Sequence, residues 1–305
     1  MTKQSDYEAI VVGGGPAGLA AASWLGRYLH RTALIDAGDP RNWATTGVNG
    51  YLGLPNVRPA LLRKRGRTEC VRYNVQLIDG RAVSVLRMHD GQLAICLSDE
   101  SVLTCDRLVL AMGVKDEWPE LPGLDRCYGQ DAHHCPDCDG HLARNRRTVV
   151  IGHDRKAAAL AFLLLTWTRD IIICTNGIPC SMDAALIEKL TAQEIPIMGN
   201  RVVLAHSEER RLKWLELDNG AQLDCEKLFF TVTHIPADDL GDQLGCDRDD
   251  DGYIIVDHAK RTSVGNVYAI GDITPGPQLA IRAAADGAVC AVALHRSLLP
   301  AGRRL

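Results

Sequence analysis

No part of this 305-residue chain is apolar for long enough to cross a bilayer. The longest apolar run, residues 157–167, falls well short of the ~20 residues that a spanning helix needs. A polar stub leads straight into an apolar strand, without the successive regions of a signal peptide. A large net charge is missing too. The formal value of -4 gives no electrostatic reason to expect a nucleic-acid partner or an anionic membrane surface. The one basic run, Arg63-Lys64-Arg65-Gly66-Arg67, is short, lacks interleaved aromatics and reads as a solvated helix face. Cysteine is plentiful, but a cysteine framework is not: eleven are scattered, and only Cys135 and Cys138 are closely paired. An odd, dispersed set is unlike a secreted disulfide scaffold, so a reducing cytoplasm is the expected setting. What remains is a soluble globular protein, 46% hydrophobic and 24% charged, with length enough for two domains.

The first positive signal is YEAIVV at 7–12, followed by GGGPAG at 13–18, a helical run at 19–29 and TALID at 32–36. Strand, glycine turn, helix and strand make one βαβ unit. In that context the glycines have separate roles. Gly13 makes the tight turn, Gly15 lets the backbone approach a pyrophosphate, and Gly18 allows close helix–strand packing. The phosphates would sit on the helix N-terminus, with Asp36 reaching a ribose hydroxyl. This predicts dinucleotide binding.

A second such unit starts with RTVVIG at 147–152, continues through a helix at 156–167 and returns as a strand at 170–174. The stretch 114–123 is Pro- and charge-rich and suits a linker, and a similar break falls at 233–239. Beyond it lie 253–256, NVYAIGD at 266–272, and an Ala-rich helix at 279–297. The expected fold is therefore α/β, with two Rossmann-like nucleotide-binding-type domains, the second inserted into the first. The acidic run 247–252 imitates a calcium loop, but its twelfth position is His258 rather than a bidentate glutamate. It reads as a turn flanked by strands.

Residues 133–140 spell HHCPDCDG. The two thiols could close a redox-active disulfide, or join a histidine and Cys127 around zinc, or be inert core residues. Zinc lacks a second C-x-x-C, and buried structural cysteines seldom come flanked by His, Asp and Gly. His133 reads as an ordinary surface histidine. His134 is a candidate to favour a thiolate or to accept a thiol proton. Asp137, inside the motif, should oppose thiolate formation.

Taken in order, GGGPAGLAAA near the start, LVLAMG at 108–113, CPDCDG at 135–140 and NVYAIGD at 266–272 followed by PQLA at 277–280 form a familiar pattern. Over nearly its whole length the chain resembles the low-molecular-weight thioredoxin reductases, which are FAD-dependent disulfide oxidoreductases. The resemblance implies an FAD domain of residues 1–115 and 240–305, and a pyridine-nucleotide-type domain of 116–239 that carries the C-x-x-C. It places Gly13, Gly15, Pro16, Ala17, Gly18, Asp36, Gly113, Gly271, Asp272, Gln278 and Leu279 around FAD, with Asp272 at the ribitol and the backbone near Gln278 facing the isoalloxazine. It casts Cys138 as the sulfur beside the flavin, Cys135 as the thiol that meets substrate, and Asp139 as the acid/base residue. No metal is implied. A homodimer is expected, acting on a disulfide-bearing protein such as a thioredoxin.

Two departures concern the electron donor. Where the family's middle domain has a second glycine fingerprint, this chain reads Gly152-His153-Asp154-Arg155-Lys156-Ala157. Asp154 replaces the glycine that lets backbone approach a pyrophosphate, and Arg155 and Lys156 could offset only part of its charge. Two like charges about 4 Å apart at an effective dielectric of about 20 interact by about 4 kcal/mol. After the next strand the family's arginines for a 2′-phosphate are missing: the sequence is Cys174-Thr175-Asn176-Gly177-Ile178. The middle domain thus reads as degenerate for NADPH. Relatives with that loss include reductases supplied by ferredoxin or another flavin, and dithiol oxidases of the gliotoxin and holomycin type that pass electrons to oxygen. DAGDPRN at 36–42, the histidine before Cys135 and GPQLAIRAAADG at 276–287 resemble the branch containing the oxidases, whereas Asp139 resembles the thioredoxin reductases. A disulfide reductase is the leading expectation, a small-molecule dithiol oxidase the first alternative, and a flavin-binding redox sensor the second.

Overall fold

A computed structural model describes residues 4–237 and 239–303. The chain divides into two compact units, one of residues 1–43, 51–115 and 234–305, the other of 44–50 and 116–233.

The first unit opens with β1 (Tyr7–Val12), α1 (Pro16–Arg27), β2 (Thr32–Asp36), α2 (Pro59–Arg72) and β3 (Gln76–Asp79). Strands β4 (Ala82–Arg87), β5 (Leu93–Leu97) and β6 (Val102–Leu110) follow. Strand β1 is apolar throughout its second half because both of its faces are covered. Ala9 and Val11 enter one core with α1, while Ile10 and Val12 enter another with residues of β4 and β5. That alternation fixes the register, in which Val11 lies opposite Leu34 on one side and Val109 on the other. The sheet order is β3-β2-β1-β6-β5-β4, parallel through β6 and antiparallel beyond it.

Strand β7 (Val114–Glu117) leads into the second unit, through α3 (Leu124–Cys127), β8 (Ala132–His133) and α4 (Pro136–Asp139). Next come β9 (Thr148–Ile151), α5 (Arg155–Leu164), β10 (Ile171–Cys174), α6 (Ala184–Ala192) and β11 (Ile197–Met198). An antiparallel ladder of β12 (Val202–Glu208), β13 (Arg211–Leu217) and β14 (Gln222–Asp224) precedes β15 (Lys227–Phe230). The main sheet is parallel, in the order β11-β10-β9-β15-β8. Here too a central strand feeds two cores, Val149 and Ile151 on one face and Val150 on the other.

The chain returns through β16 (Thr233–Pro236), α7 (Leu240–Gln243) and β17 (Val267–Ala269), which pairs with β6, and ends in the long helix α8 (Ala280–Leu298). Two expectations need correction. The stretches read as a linker and a break contain β7 and β16, which form a two-stranded sheet. Strand β7 contains no proline, and β16 carries one only at its last residue, Pro236, where an edge tolerates it. The segment 253–256 is not a strand; it contributes one isolated bridge, Arg248 to Ile254. Residues 44–50 pack with the second unit, although nothing in the sequence marks a break there. Among the described residues, no helix is long and apolar enough to cross a membrane.

Candidate cofactor and redox sites

Helix α1 starts without a side-chain cap and without an acidic residue in its first turn. Its leading N–H groups therefore remain available, with the positive end of the helix dipole behind them. Pro16 stands at the first helical position, where its missing N–H costs nothing. A Cβ on Gly15 would meet nothing within 4 Å, so the space in front of the turn is open to backbone approach. Gly13 has φ +115°, and a side chain there would run into the Ala111 carbonyl oxygen. Gly18 lies against the Gly13 carbonyl, and Ala17 beside it is buried. Backbone donors, open space and absence of side chains fit a dinucleotide pyrophosphate.

Asp36 ends β2 with its side chain 6% exposed. Its Oδ2 accepts from Arg63 at 2.5 Å and Arg67 at 2.7 Å, and its Oδ1 accepts from the Gly38 amide at 3.0 Å. The basic run is thus only in part a solvated face: two of its arginines, one helical turn apart, turn toward Asp36.

Just past β6 and β17, at the same carboxyl end of the parallel strands, Gly113 and Gly271 both have left-handed backbone, with φ +72° and +74°. The position of a Cβ on Gly113 lies 4.0 Å from that of Asp272. Arg41 Nη1 donates to Asp272 Oδ2 at 3.0 Å and to Gln278 Oε1 at 2.6 Å. Its Nη2 faces His234 Nδ1 at 3.2 Å, and Gln278 Nε2 donates to the Tyr253 hydroxyl at 2.9 Å. Leu279 is the N-cap of α8 and supplies no side-chain cap, leaving that helix start open as well. Sequence reasoning did not single out Arg41, His234, Tyr253, Arg63 or Arg67 for this site. Only DAGDPRN, noted for its resemblance, pointed near Arg41.

The second unit holds the two thiols. Cys135 caps the single turn α4, and the C-x-x-C spacing brings Cys138 round to it, with Cα atoms 5.4 Å apart and a disulfide between them. The Cys138 amide donates to Cys135 Sγ at 3.2 Å. Gly140 follows directly and is buried against Trp167, whose ring a Cβ would overlap.

Two histidine–aspartate pairs flank the motif. His133 is buried, its side chain 2% exposed, which corrects its reading as a surface residue. Strand β8 places it opposite Phe229 in register, with ring centroids 5.4 Å apart. Its Nδ1 lies 3.2 Å from Asp139 Oδ2, while Asn49 Nδ2 donates to Asp139 Oδ1 at 2.9 Å. Burial alone would raise the Asp139 pKa. The hydrogen bond and charge of His133, the Asn49 bond and the His134 charge outweigh burial and hold the carboxyl below its ordinary value. His134 Nδ1 is 3.2 Å from the Tyr128 hydroxyl, and its Nε2 is 3.8 Å from Asp116 Oδ2. Asp137 is exposed, so water screens the charge that would oppose a thiolate. Three buried cysteines contrast with this pair. Burial pushes the thiols of Cys70, Cys105 and Cys127 up to about 12, which leaves them unreactive.

The second glycine turn differs from the first in one decisive respect. Asp154 is the N-cap of α5, and its own Oδ1 accepts from the Lys156 amide at 3.0 Å and the Ala157 amide at 3.3 Å. The Ser181 amide donates to the His153 carbonyl of the same turn at 2.8 Å. Beyond β10, Asn176 donates to the Glu120 carbonyl at 3.2 Å and accepts from the Val202 amide at 2.8 Å.

The family model described as pyridine nucleotide-disulphide oxidoreductase matches residues 7–287. The chain belongs to that family. A protein of Arthroderma benhamiae described as "Probable thioredoxin reductase" is 30% identical, with 96% of this chain and 80% of that one covered. The thioredoxin reductase aclD of Aspergillus oryzae is 26% identical, with 96% of each chain covered. Among solved structures, HlmI superposes with a TM-score of 0.92 at 30% identity, covering 98% of this chain and 94% of that one. This oxidoreductase is therefore thioredoxin reductase-like, an FAD-dependent disulfide oxidoreductase.

Proposed function

We propose that this oxidoreductase performs thiol–disulfide exchange at Cys135 and Cys138 and does so without NADPH. The carrying observation is the contrast between its two glycine turns. At α1 the amides are uncapped and the approach is open, whereas at α5 the Asp154 carboxylate already occupies the amides that a pyrophosphate would need. Asn176, near where a 2′-phosphate would lie, is neutral and engaged at both ends of its amide. A nucleotide would have to displace these bonds and face a carboxylate.

In this reading the first unit is the FAD domain, with the α1 turn at the pyrophosphate, Asp36 at a ribose, and Asp272 and Gln278 toward the flavin. When bound, FAD supplies a two-electron carrier matched to a dithiol/disulfide couple. Cys135 exchanges with substrate and Cys138 with the flavin, so one sulfur attacks and the other resolves the mixed disulfide. When a motif thiol ionises, its S–H bond breaks and the electron pair stays on sulfur. The proton goes to His134, because the Asp139 carboxyl, implied by the resemblance as the acid/base group, is held below its ordinary value.

The names of the Arthroderma and Aspergillus relatives support a thioredoxin-type protein disulfide as the substrate class. A homodimer in the cytoplasm completes the proposal. The test is an anaerobic flavin titration, first with NADPH and then with a dithiol. No bleaching by NADPH, followed by bleaching or a long-wavelength band with dithiol, is the expected result. Rapid bleaching by NADPH would overturn NADPH independence. Oxygen uptake driven by a small dithiol, with no reduction of a protein disulfide, would instead establish a dithiol oxidase. A flavin that responds once to thiols but never turns over would identify a redox sensor.

A further inference from the structure

The function proposed above makes no use of His133, yet its placement is costly. Its Nε2 is buried with no hydrogen-bond partner among the described residues. A buried polar atom left unsatisfied is destabilising, and an apolar side chain would pack against Phe229 without that penalty. What the imidazole supplies is at its other nitrogen, 3.2 Å from Asp139 Oδ2. With no acceptor at Nε2, the tautomer that satisfies a donor carries its proton on Nδ1 and donates it to the carboxylate. Asn49 donates to the second oxygen, so both sides of Asp139 are fixed.

We infer that His133 is a positioning residue for Asp139: it fixes the carboxylate of the residue that directly follows Cys138 and, as a donor, offsets part of its charge, so that a thiolate forms in the motif at neutral pH. The inference rests on reading Cys135 and Cys138 as the redox couple. Asp139 directly follows Cys138, and an uncompensated carboxylate beside a thiol opposes its ionisation. The groups facing Asp139 are His133 from β8, Asn49 from the 44–50 segment and, by its charge, His134. The His133 ring packs against the apolar Phe229. His134 is itself held by Tyr128 and Asp116, so it does not replace His133 at Oδ2.

The experiment follows thiol reactivity in the FAD-loaded full chain. The protein is reduced with dithiothreitol, freed of it anaerobically, and alkylated with iodoacetamide from pH 5 to 10. Mass spectrometry resolves Cys135 from Cys138. In His133→Phe the profile of at least one of the two should move to higher pH, with alkylation roughly 3- to 10-fold slower at pH 7. His133→Asn, which can still present an N–H, should restore much of the rate. Coincident profiles for His133→Phe and the unaltered chain would overturn the inference, as would a shift that His133→Asn leaves uncorrected. If His133→Phe fails to fold, 15N shifts of the His133 ring decide: a proton on Nδ1 supports the inference, and one on Nε2 alone overturns it. Alkylation needs neither turnover nor a nucleotide, so it reads His133 even if the proposed redox cycle fails.

Discussion

The Arg41 guanidinium donates to Asp272 Oδ2 at 3.0 Å. The same nitrogen reaches Gln278, so one side chain ties together the two residues proposed to face the flavin. Arg41 is 13% exposed in its side chain, which limits screening of these bonds. A hydrogen bond to a charged partner contributes a net ~1.5–3 kcal/mol. Arg41→Met should therefore weaken FAD retention by roughly ten- to a hundredfold. Arg41→Lys should fall in between, since a point charge replaces only part of a planar fork. Flavin fluorescence released on serial dilution measures this directly. Unchanged retention in Arg41→Met would separate the Arg41 cluster from the cofactor.

Asp154 is the second point of leverage. Replacing a capping aspartate with alanine costs about 0.5–2 kcal/mol, whereas glycine costs only a few tenths. In a unit of this size, 1 kcal/mol corresponds to a shift of roughly 2–4 °C in melting temperature. Asp154→Ala should thus lower the thermal midpoint by a few degrees while leaving flavin content unchanged, and Asp154→Gly should scarcely move it. Neither variant should gain rapid flavin reduction by NADPH, because neither substitution frees or replaces Asn176, which stays engaged at both ends of its amide. Fast reduction in Asp154→Gly would assign the whole block to this one carboxylate.

Both glycine turns and the C-x-x-C were readable in advance because each depends on residue type at fixed spacing. The side-chain partners were not. Strand period 2 sends His133 and His134 to opposite faces, one against Phe229 and the other toward Tyr128 and Phe230. A two-residue strand carries too little pattern to announce that alternation. Arg41 lies in an irregular stretch with no period at all, and its partners are more than 190 residues away in sequence. The self-cap at Asp154 sharpened a suspicion the sequence had raised: Asp154 appeared as a misplaced charge, and its geometry shows where that charge is spent. The basic run was misjudged in part for the opposite reason. Composition can mark a helix face as polar, but it cannot say that two of its arginines bend back to Asp36.

The lowered carboxyl of Asp139 carries a pH signature for stability. Its folded pKa lies below the unfolded value of about 3.9, so its contribution is complete above that value. It is lost as the pH falls through the folded pKa. Asp139→Asn removes this linkage. The gap in melting temperature between the two proteins should be widest near pH 6 and should narrow steadily toward pH 3. A gap that stays constant over that range would mean that the folded carboxyl is not held low.

Gly140 offers the sharpest test of how the motif is seated. A Cβ there would overlap the Trp167 ring, so Gly140→Ala must displace either the ring or the turn that carries Cys138. Overpacking of this kind typically costs about 1–3 kcal/mol. If Trp167 is the obstacle, the cost should shrink in a Trp167→Leu background, where the ring is absent. The double variant should then be more stable than the sum of the single effects by about 1 kcal/mol or more. Strict additivity would show that Gly140 is required for another reason. Alkylation of Cys135 and Cys138 in the same set separates the two responses. If the ring yields, cysteine reactivity should stay at its original level; if the turn yields, it should change together with stability.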